Sequence, residues 1–143
     1  MARRTLEERF WTKVDKHGPW FVTQHPRRRS RCWVWTACQH ERGYGTIKQG
    51  GIDRKAHRIA YEMAYGPIPS GTEIDHRCRN TPCVRHDHLE AVTHRANVLR
   101  GEGVAAKWAR RTHCGKGHSL VDAYVRNDGG RRCRECVRLK DRK

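Results

Sequence analysis

The sequence predicts a small α+β protein built from short helices and antiparallel hairpins, and three observations lead to this expectation. The 143-residue chain is only 36% hydrophobic and 8% aromatic, which leaves little apolar material for a core. Glycine and proline interrupt the apolar segments at short intervals. Seven cysteines and ten histidines could supply cross-links or metal ligands. Small chains that are short of apolar burial usually add disulfides or structural metals, and we expect one of these here.

The chain is strongly basic, with 31 Lys and Arg against 15 Asp and Glu and a net charge of +16. This charge favours a nucleic-acid partner, because each phosphate that the protein neutralises releases condensed counterions. We find no amphipathic basic helix, no run of about 18 apolar residues and no signal-peptide pattern, so we expect a cytoplasmic protein without membrane association. In a reducing cytosol, clustered cysteines indicate metal ligands rather than disulfides.

Local patterns predict the secondary structure of the first half. Thr5 and Glu8 form a capping box ahead of an apolar stripe, which predicts a helix over residues 5–16. Residues 32–36 (CWVWT) suit a buried strand, and residues 43–57 suit a hairpin that turns at Gly50-Gly51.

Several polar side chains of this hairpin could enter a DNA groove, because a two-stranded ribbon fits the major groove. An ordinary solvent-exposed hairpin is the alternative. A second basic element is the run Arg27–Arg29, which is either a solvated loop tip or a phosphate contact. The hairpin side chains in question are Lys48, Gln49, Asp53, Arg54 and Lys55.

The sequence of the second half predicts a helix over 57–65 that ends at Gly66, followed by a short strand over 73–75. An irregular loop to about Glu90, another short strand and a helix over about 93–99 are expected next. We therefore expect three parts along the chain. These are a core domain over 1–100, a linker over 101–111 and a separate Cys/His module with a basic tail over 112–143.

The first Cys/His group is Cys78, Cys83 and His88, each five residues from the next. Three such ligands in an irregular loop suit a tetrahedral structural Zn²⁺ ion, which needs a fourth. Cys32, which lies beside two tryptophans, is the preferred fourth ligand. Cys38, in a polar loop, is the second choice.

Beside this group lie Asp75, His76 and Asn97, which form a candidate catalytic set. Asp and Asn oxygens suit Mg²⁺, which keeps several waters and binds few protein groups. His76 could take a proton from water, because the unperturbed pKa of histidine lies near working pH. One metal and one base together could hydrolyse a phosphodiester.

The pattern His76-x-Cys78-x₄-Cys83-x₄-His88 with Asn97 resembles the His-Cys box homing endonucleases and the phage HNH endonucleases, as do CWVWT, GYG and AHRIAYE upstream. The resemblance implies a zinc-stabilised ββα-metal nuclease fold that acts on double-stranded DNA. It implies that His76 activates the water, that Asn97 and Asp75 bind one divalent cation, and that the loop Cys and His residues bind structural zinc. Homing, restriction and DNA packaging remain open as roles, and a homodimer is possible.

Three further side chains near this pattern have two interpretations each. Arg58 could stabilise charge on the phosphate, or it could pair with Glu62 one helical turn on. His94 could approach the metal or a phosphate, although a surface position is the favoured interpretation. His57, at the start of its helix, is interpreted as structural.

A second Cys/His group lies in the C-terminal module. Cys114-x₃-His118 and Cys133-x₂-Cys136 enclose an insert that turns at Asp128-Gly129-Gly130, which is the spacing of a structural zinc ribbon. Arg131 and Arg132 beside the second pair could grip DNA phosphates, contacts that position a protein without specifying sequence.

The leading hypothesis is therefore a metal-dependent DNA endonuclease with two structural zinc ions and one catalytic Mg²⁺ or similar cation. A non-catalytic zinc-dependent DNA-binding regulator and an RNA-binding zinc protein are the alternatives. The set Asp75, His76 and Asn97 discriminates between them, because a regulator has no use for it.

Overall fold

The computed structural model describes residues 4–22 and 28–141, and these divide into two compact units, Met1–His94 and Arg95–Lys143. Arg27 of the predicted arginine run lies outside the described residues. The fold is mixed, with short helices and small antiparallel hairpins, as predicted. In the described part of the chain, no helix is both long enough and apolar enough to cross a membrane.

The first unit begins with a short helix, six short strands and one longer helix. Helix α1 is followed by strands β1 to β6 and then by helix α2. The bounds are α1 (Leu6–Trp11), β1 (Val14–Asp15), β2 (Trp20–Val22), β3 (Arg29–Arg31), β4 (Val34–Trp35), β5 (Thr46–Gln49), β6 (Ile52–Lys55) and α2 (Ala56–Tyr65).

Helix α1 has the predicted capping box, in which the Glu8 amide donates to Thr5 Oγ1 at 3.2 Å and the Thr5 amide donates to the Glu8 carboxylate at 2.8 Å. The helix ends at Trp11, however, and the prediction that it continues to residue 16 is wrong. Val14 instead pairs with Trp35 in an antiparallel ladder. Tertiary pairing to a buried strand outweighs the weak helix propensity of a β-branched residue here.

The core of the first unit forms where α1, α2 and the hairpins meet. Phe10 and Trp35 are both fully buried, and their ring centroids lie 5.0 Å apart. The remaining buried members of the core are Ile47, Ala56, Ile59, Ala60, Ile74, Val84 and Leu89.

Gly45 lies against this core, and its lack of a side chain is required there. A Cβ atom at this position would meet Cγ of the buried Trp35 at 2.5 Å. We expect Gly45→Ala to lower the free energy of unfolding by about 1–3 kcal/mol or more, the usual cost of overpacking a core. Urea denaturation measures this, and Gly115→Ala, where a Cβ meets nothing within 4 Å, is the control. Equal midpoints for the two variants would contradict the prediction.

Two hairpins frame the part of this unit that carries the candidate catalytic histidine. The predicted hairpin forms from β5 and β6, and Gly50 and Gly51 both have positive φ in its turn. The second is the antiparallel pair β7 (Thr72–His76) and β8 (Leu89–Thr93). In its register His76 lies opposite Leu89, so this pairing holds both ends of the loop that contains Cys78 and Cys83.

Helix α3 (His94–Arg100) follows β8 directly and leads into the second unit. The remaining elements of the second unit are α4 (Val104–Arg110), β9 (Tyr124–Val125), β10 (Arg131–Arg132) and α5 (Arg134–Asp141). Helix α4 occupies most of the segment predicted as a linker over 101–111. Strands β9 and β10 form a small hairpin that turns at Gly129, where φ is 78°, as the Asp-Gly-Gly sequence predicts.

Candidate functional site

The structure brings Cys32, Cys78, Cys83 and His88 together in one group, with all four ligand atoms within 4.8 Å of one another. The Nδ1 atom of His88 lies 3.6 Å from the sulfurs of both Cys32 and Cys83. Tetrahedral zinc, with bonds of about 2.3 Å to sulfur and 2.0 Å to nitrogen, separates its ligands by about 3.5–3.8 Å. The group therefore fits a zinc ion and could hold one.

Main-chain pairing explains why Cys32 and not Cys38 joins this group. The Val84 amide donates to the Trp33 carbonyl at 2.8 Å, and a β-bridge links Val34 to Cys83. These contacts place the segment that follows Cys32 alongside the cysteine loop. Cys32 is 2% exposed, whereas Cys38 is exposed and lies outside the group.

His88 is oriented by hydrogen bonding as well as by burial. Its Nε2 atom lies 2.6 Å from Oγ of Ser30, so a proton on Nε2 leaves the Nδ1 lone pair directed at the cysteine sulfurs. The Cys83 thiol lowers the pKa of Cys78 to about 4 by hydrogen bonding, and the same contact raises the pKa of Cys83. The lowered pKa of Cys78 favours its thiolate, the form that binds metals.

His76 lies directly against this group at the end of β7. It is 5% exposed, and its Nε2 atom lies 2.9 Å from the main-chain carbonyl of Cys83. A carbonyl can only accept, so Nε2 carries the proton and Nδ1 of the neutral ring keeps its lone pair. Burial lowers the pKa of His76 below 6.5, which favours this neutral form. The neutral ring therefore keeps one nitrogen, Nδ1, that could accept a proton.

Two aromatic rings pack around His76 and were not foreseen from the sequence. The His57 ring lies edge-on to it at 4.8 Å between centroids, and the Tyr44 ring lies at 5.8 Å. Burial lowers the pKa of His57 to about 3, so this ring is neutral. Within the described residues, its buried Nδ1 atom has no hydrogen-bond partner. These rings restrict the orientation of the imidazole of His76.

The other predicted catalytic residues have different surroundings. Asp75 is 6% exposed and accepts a hydrogen bond from Arg79 Nη1 at 3.2 Å. Arg79 has a left-handed backbone (φ 55°), which places it in the turn after His76. Asn97 is half-buried on α3 and belongs to the second unit. Their role as cation ligands stays a prediction.

The structure narrows the alternatives for Arg58 and His94. Glu62 pairs with Arg54 at 2.6 Å rather than with Arg58. Within residues 4–22 and 28–141, no carboxylate forms an ion pair with Arg58, so its guanidinium is available to a phosphate. His94 is exposed and its Nδ1 lies 2.8 Å from Glu73, which accounts for it as a surface residue.

Cys114, His118, Cys133 and Cys136 form the second group of four, again with all ligand atoms within 4.8 Å. Nδ1 of His118 lies 3.6, 3.7 and 3.4 Å from the three sulfurs. These separations also suit a tetrahedral zinc ion. Each group offers four protein ligands and leaves no open position, so both could hold structural rather than catalytic zinc.

The residues predicted to contact DNA are mostly exposed, and several of them contact other residues of the protein. The exposed Lys48 accepts from Arg9 through its carbonyl at 3.0 Å, Arg54 donates to Gln49 at 2.6 Å, and the Lys55 ammonium lies 5.1 Å from the Tyr44 ring centroid. None of these contacts involves the ammonium group of Lys48 or the guanidinium group of Arg132. Their contact with DNA stays a prediction.

Arg131 has a structural role that the sequence does not reveal. Its Nη2 atom donates to the carbonyls of Trp108, Ala109 and Arg111 at 3.0, 2.8 and 2.6 Å. The Trp108 carbonyl also accepts from the Arg111 amide at 3.3 Å, and the guanidinium complements the negative end of the helix dipole. In the same way, Arg110 Nη2 donates to the carbonyls of Leu99 and Gly101 at the end of α3.

We expect Arg131→Ala to lower the free energy of unfolding by about 1–2 kcal/mol, because three carbonyls lose a charged donor. Arg132→Ala removes the same charge from the adjacent exposed residue and is the matched control. Thermal unfolding of the full chain measures both. If Arg131 instead serves only as a phosphate contact, the two variants will unfold alike and weaken DNA binding alike.

The segment that carries most of this candidate site also matches a known protein family. Residues 54–99 match the family model of the HNH endonucleases. This segment contains His76 and three ligands of the first group, and the resemblance predicted from the motif is confirmed over it. The fourth ligand, Cys32, lies outside the matched segment.

Two phage proteins are similar in sequence. Protein 7.7 of Escherichia phage T7 is 36% identical over 66 residues, which are 46% of this chain and 51% of that protein. The uncharacterized gene 5.3 protein of Enterobacteria phage T3 is 41% identical over 44 residues, 31% of this chain and 44% of that protein. The chain thus spans about half the length of these relatives. No solved structure matches it.

Proposed function

We propose that this protein is a metal-dependent endonuclease that hydrolyses phosphodiester bonds in double-stranded DNA, with His76 as the general base. The observation that carries the proposal is the hydrogen bond of 2.9 Å between His76 Nε2 and the Cys83 carbonyl, because it leaves Nδ1 as the proton acceptor. The HNH match over residues 54–99 supports the nuclease class, and the charge of +16 supports a DNA substrate.

In the proposed reaction His76 Nδ1 takes a proton from a water molecule, and the water oxygen attacks the scissile phosphorus. The bond from phosphorus to the 3′ oxygen breaks, and a second water molecule from the solvent protonates that oxygen. Arg58 would stabilise the charge that develops on the phosphate oxygens. Asp75 and Asn97 supply hard oxygen ligands that suit Mg²⁺. When bound, such a cation would neutralise charge on the phosphate and the leaving oxygen.

Cleavage of supercoiled plasmid by zinc-loaded protein, with Mg²⁺ added or omitted, tests the proposal. We expect nicked or linear DNA only when the divalent cation is present. Because Mg²⁺ is omitted rather than removed with a chelator, both zinc groups stay intact. Binding without cleavage at any Mg²⁺ concentration would favour a non-catalytic DNA-binding protein. Linear product formed without a nicked intermediate would indicate that two copies of the chain act together.

The pH dependence of the reaction follows from the lowered pKa of His76. A base must be neutral to accept a proton, and a histidine is neutral above its pKa. We expect the acid limb of kcat/KM to have its midpoint below pH 6.5, the usual pKa of histidine. A pH series of single-turnover cleavage rates measures this. An acid limb centred above pH 6.5 would contradict the assignment.

A further inference from the structure

The hairpin formed by β2 and β3 has two chemically different faces. Its register pairs Trp20 with Arg31, Phe21 with Ser30 and Val22 with Arg29. Because successive strand residues point to opposite faces, Phe21 and Ser30 share one face and the other four side chains share the second. We call the second face the Trp20 face; it comprises Trp20, Val22, Arg29 and Arg31.

The inner face of the hairpin is attached to the first metal-binding group. Ser30 Oγ lies 2.6 Å from Nε2 of His88, and the Phe21 ring packs edge-on to His88 at 5.0 Å between centroids. His88 is 1% exposed and directs its other nitrogen at the cysteine sulfurs. Ser30 therefore connects the hairpin to His88, a residue that could bind zinc, as an outer-shell partner of that ligand.

The Trp20 face is exposed and positively charged. Trp20 is 50% exposed and Val22 is 44% exposed. The guanidinium groups of Arg29 and Arg31 lie 4.3 and 4.5 Å from the centroid of the Trp20 ring, which is cation–π geometry. Within the described residues, neither arginine forms an ion pair with a carboxylate.

Contact with the Trp20 ring positions the guanidinium groups of Arg29 and Arg31 without neutralising their charge. A guanidinium that stacks through its face keeps its N–H donors at the edge, where they can meet phosphate oxygens. Holding the side chains in place also reduces the entropy that is lost when a ligand binds. Arg31 additionally donates to the His17 carbonyl at 3.1 Å, which leaves Arg29 as the more exposed donor.

We propose that the Trp20 face binds the phosphate backbone of DNA, with Arg29 as its principal contact. This proposal rests on the proposed function and adds a DNA-binding surface that lies outside the segment matching the HNH family. It follows that zinc at the first group supports DNA binding through Ser30 and His88. Phosphate contacts carry no sequence information, so this surface contributes affinity to every DNA sequence alike.

Salt-dependent DNA binding, measured without Mg²⁺ so that no cleavage occurs, tests the proposal. Each lost phosphate contact reduces the slope of log K against log salt by about 0.9. We expect Arg29→Ala to show this reduction on duplexes of unrelated sequence alike, and Arg29→Lys to keep the wild-type slope. Arg126→Ala is the matched control, because it removes an exposed arginine whose charge is already paired with Asp128 at 3.0 Å.

Ser30→Ala tests the connection to the metal group. Loss of an outer-shell partner typically costs about 10–100-fold in metal affinity. We expect this variant to release one zinc to a chelator more readily than wild type, and to bind DNA more weakly once that zinc is lost. Unchanged zinc release together with unchanged DNA affinity would overturn the connection.

The outcomes separate this proposal from the proposed function. If wild type binds and cleaves DNA but Arg29→Ala keeps the full salt slope, the Trp20 face is not a DNA-binding surface and the nuclease function stands. If Arg126→Ala loses as much slope as Arg29→Ala, net charge alone accounts for the effect and the proposal fails. If wild type neither binds nor cleaves DNA, both proposals fail.

Discussion

His76→Ala is expected to reduce DNA cleavage by about 10²–10⁴-fold, the usual contribution of a general base, while DNA affinity stays near that of wild type. The affinity should persist because His76 is 5% exposed and therefore offers little surface to a bound duplex. The rate should fall because the substitution removes the one neutral nitrogen that the Cys83 carbonyl leaves available as a base.

The measurement is a single-turnover cleavage rate combined with a binding isotherm on the same duplex. His94→Ala is the matched control, since it removes another histidine that is exposed and pairs with Glu73. We expect this control to cleave at close to the wild-type rate. Full activity of His76→Ala, or equal losses in both variants, would refute the assignment of the base.

Cys83→Ser is expected to have the largest effect on stability. Cys83 is fully buried, and its thiol belongs to the first group of four ligands. Structural zinc contributes about 10–16 kcal/mol of apparent binding free energy in small zinc-binding peptides, and that free energy is coupled to folding. With so little apolar core, the first unit should unfold without its zinc, and cleavage should be lost with it.

Zinc content per chain and thermal unfolding measure this effect. Cys38→Ser is the matched control, because Cys38 is exposed and lies outside both groups. We expect the control to keep the zinc content and melting temperature of wild type. A Cys83→Ser protein with undiminished zinc and an unchanged transition would show that the first group is not a zinc site.

The sequence predicts best those features that depend on local spacing. The loop spacing of Cys78, Cys83 and His88 predicts three members of the first group, and the apolar neighbours of Cys32 favour it over Cys38 as the fourth. The turn at Gly50-Gly51 and the α+β class follow in the same way, because turn chemistry and periodicity are local properties.

The features that sequence reasoning missed are contacts between distant residues, and several involve main-chain carbonyls. The partner of His76 is the carbonyl of Cys83, and the partners of Arg131 are carbonyls at the end of α4. Every residue carries a carbonyl, so no residue type marks these acceptors in the sequence. The end of α1 was missed for a related reason, since Val14 pairs with a residue 21 positions away.

Two parts of Cys83 face different neighbours: its sulfur belongs to a group of four side chains that could hold a metal, and its peptide oxygen accepts a hydrogen bond from Nε2 of His76. A mutation changes the first part and leaves the second in place. During evolution this position could therefore exchange cysteine for another zinc ligand, such as histidine, without altering the chemistry of the neighbouring base. Related chains that differ at this position could then share the same tautomer of His76, because a main-chain carbonyl determines it.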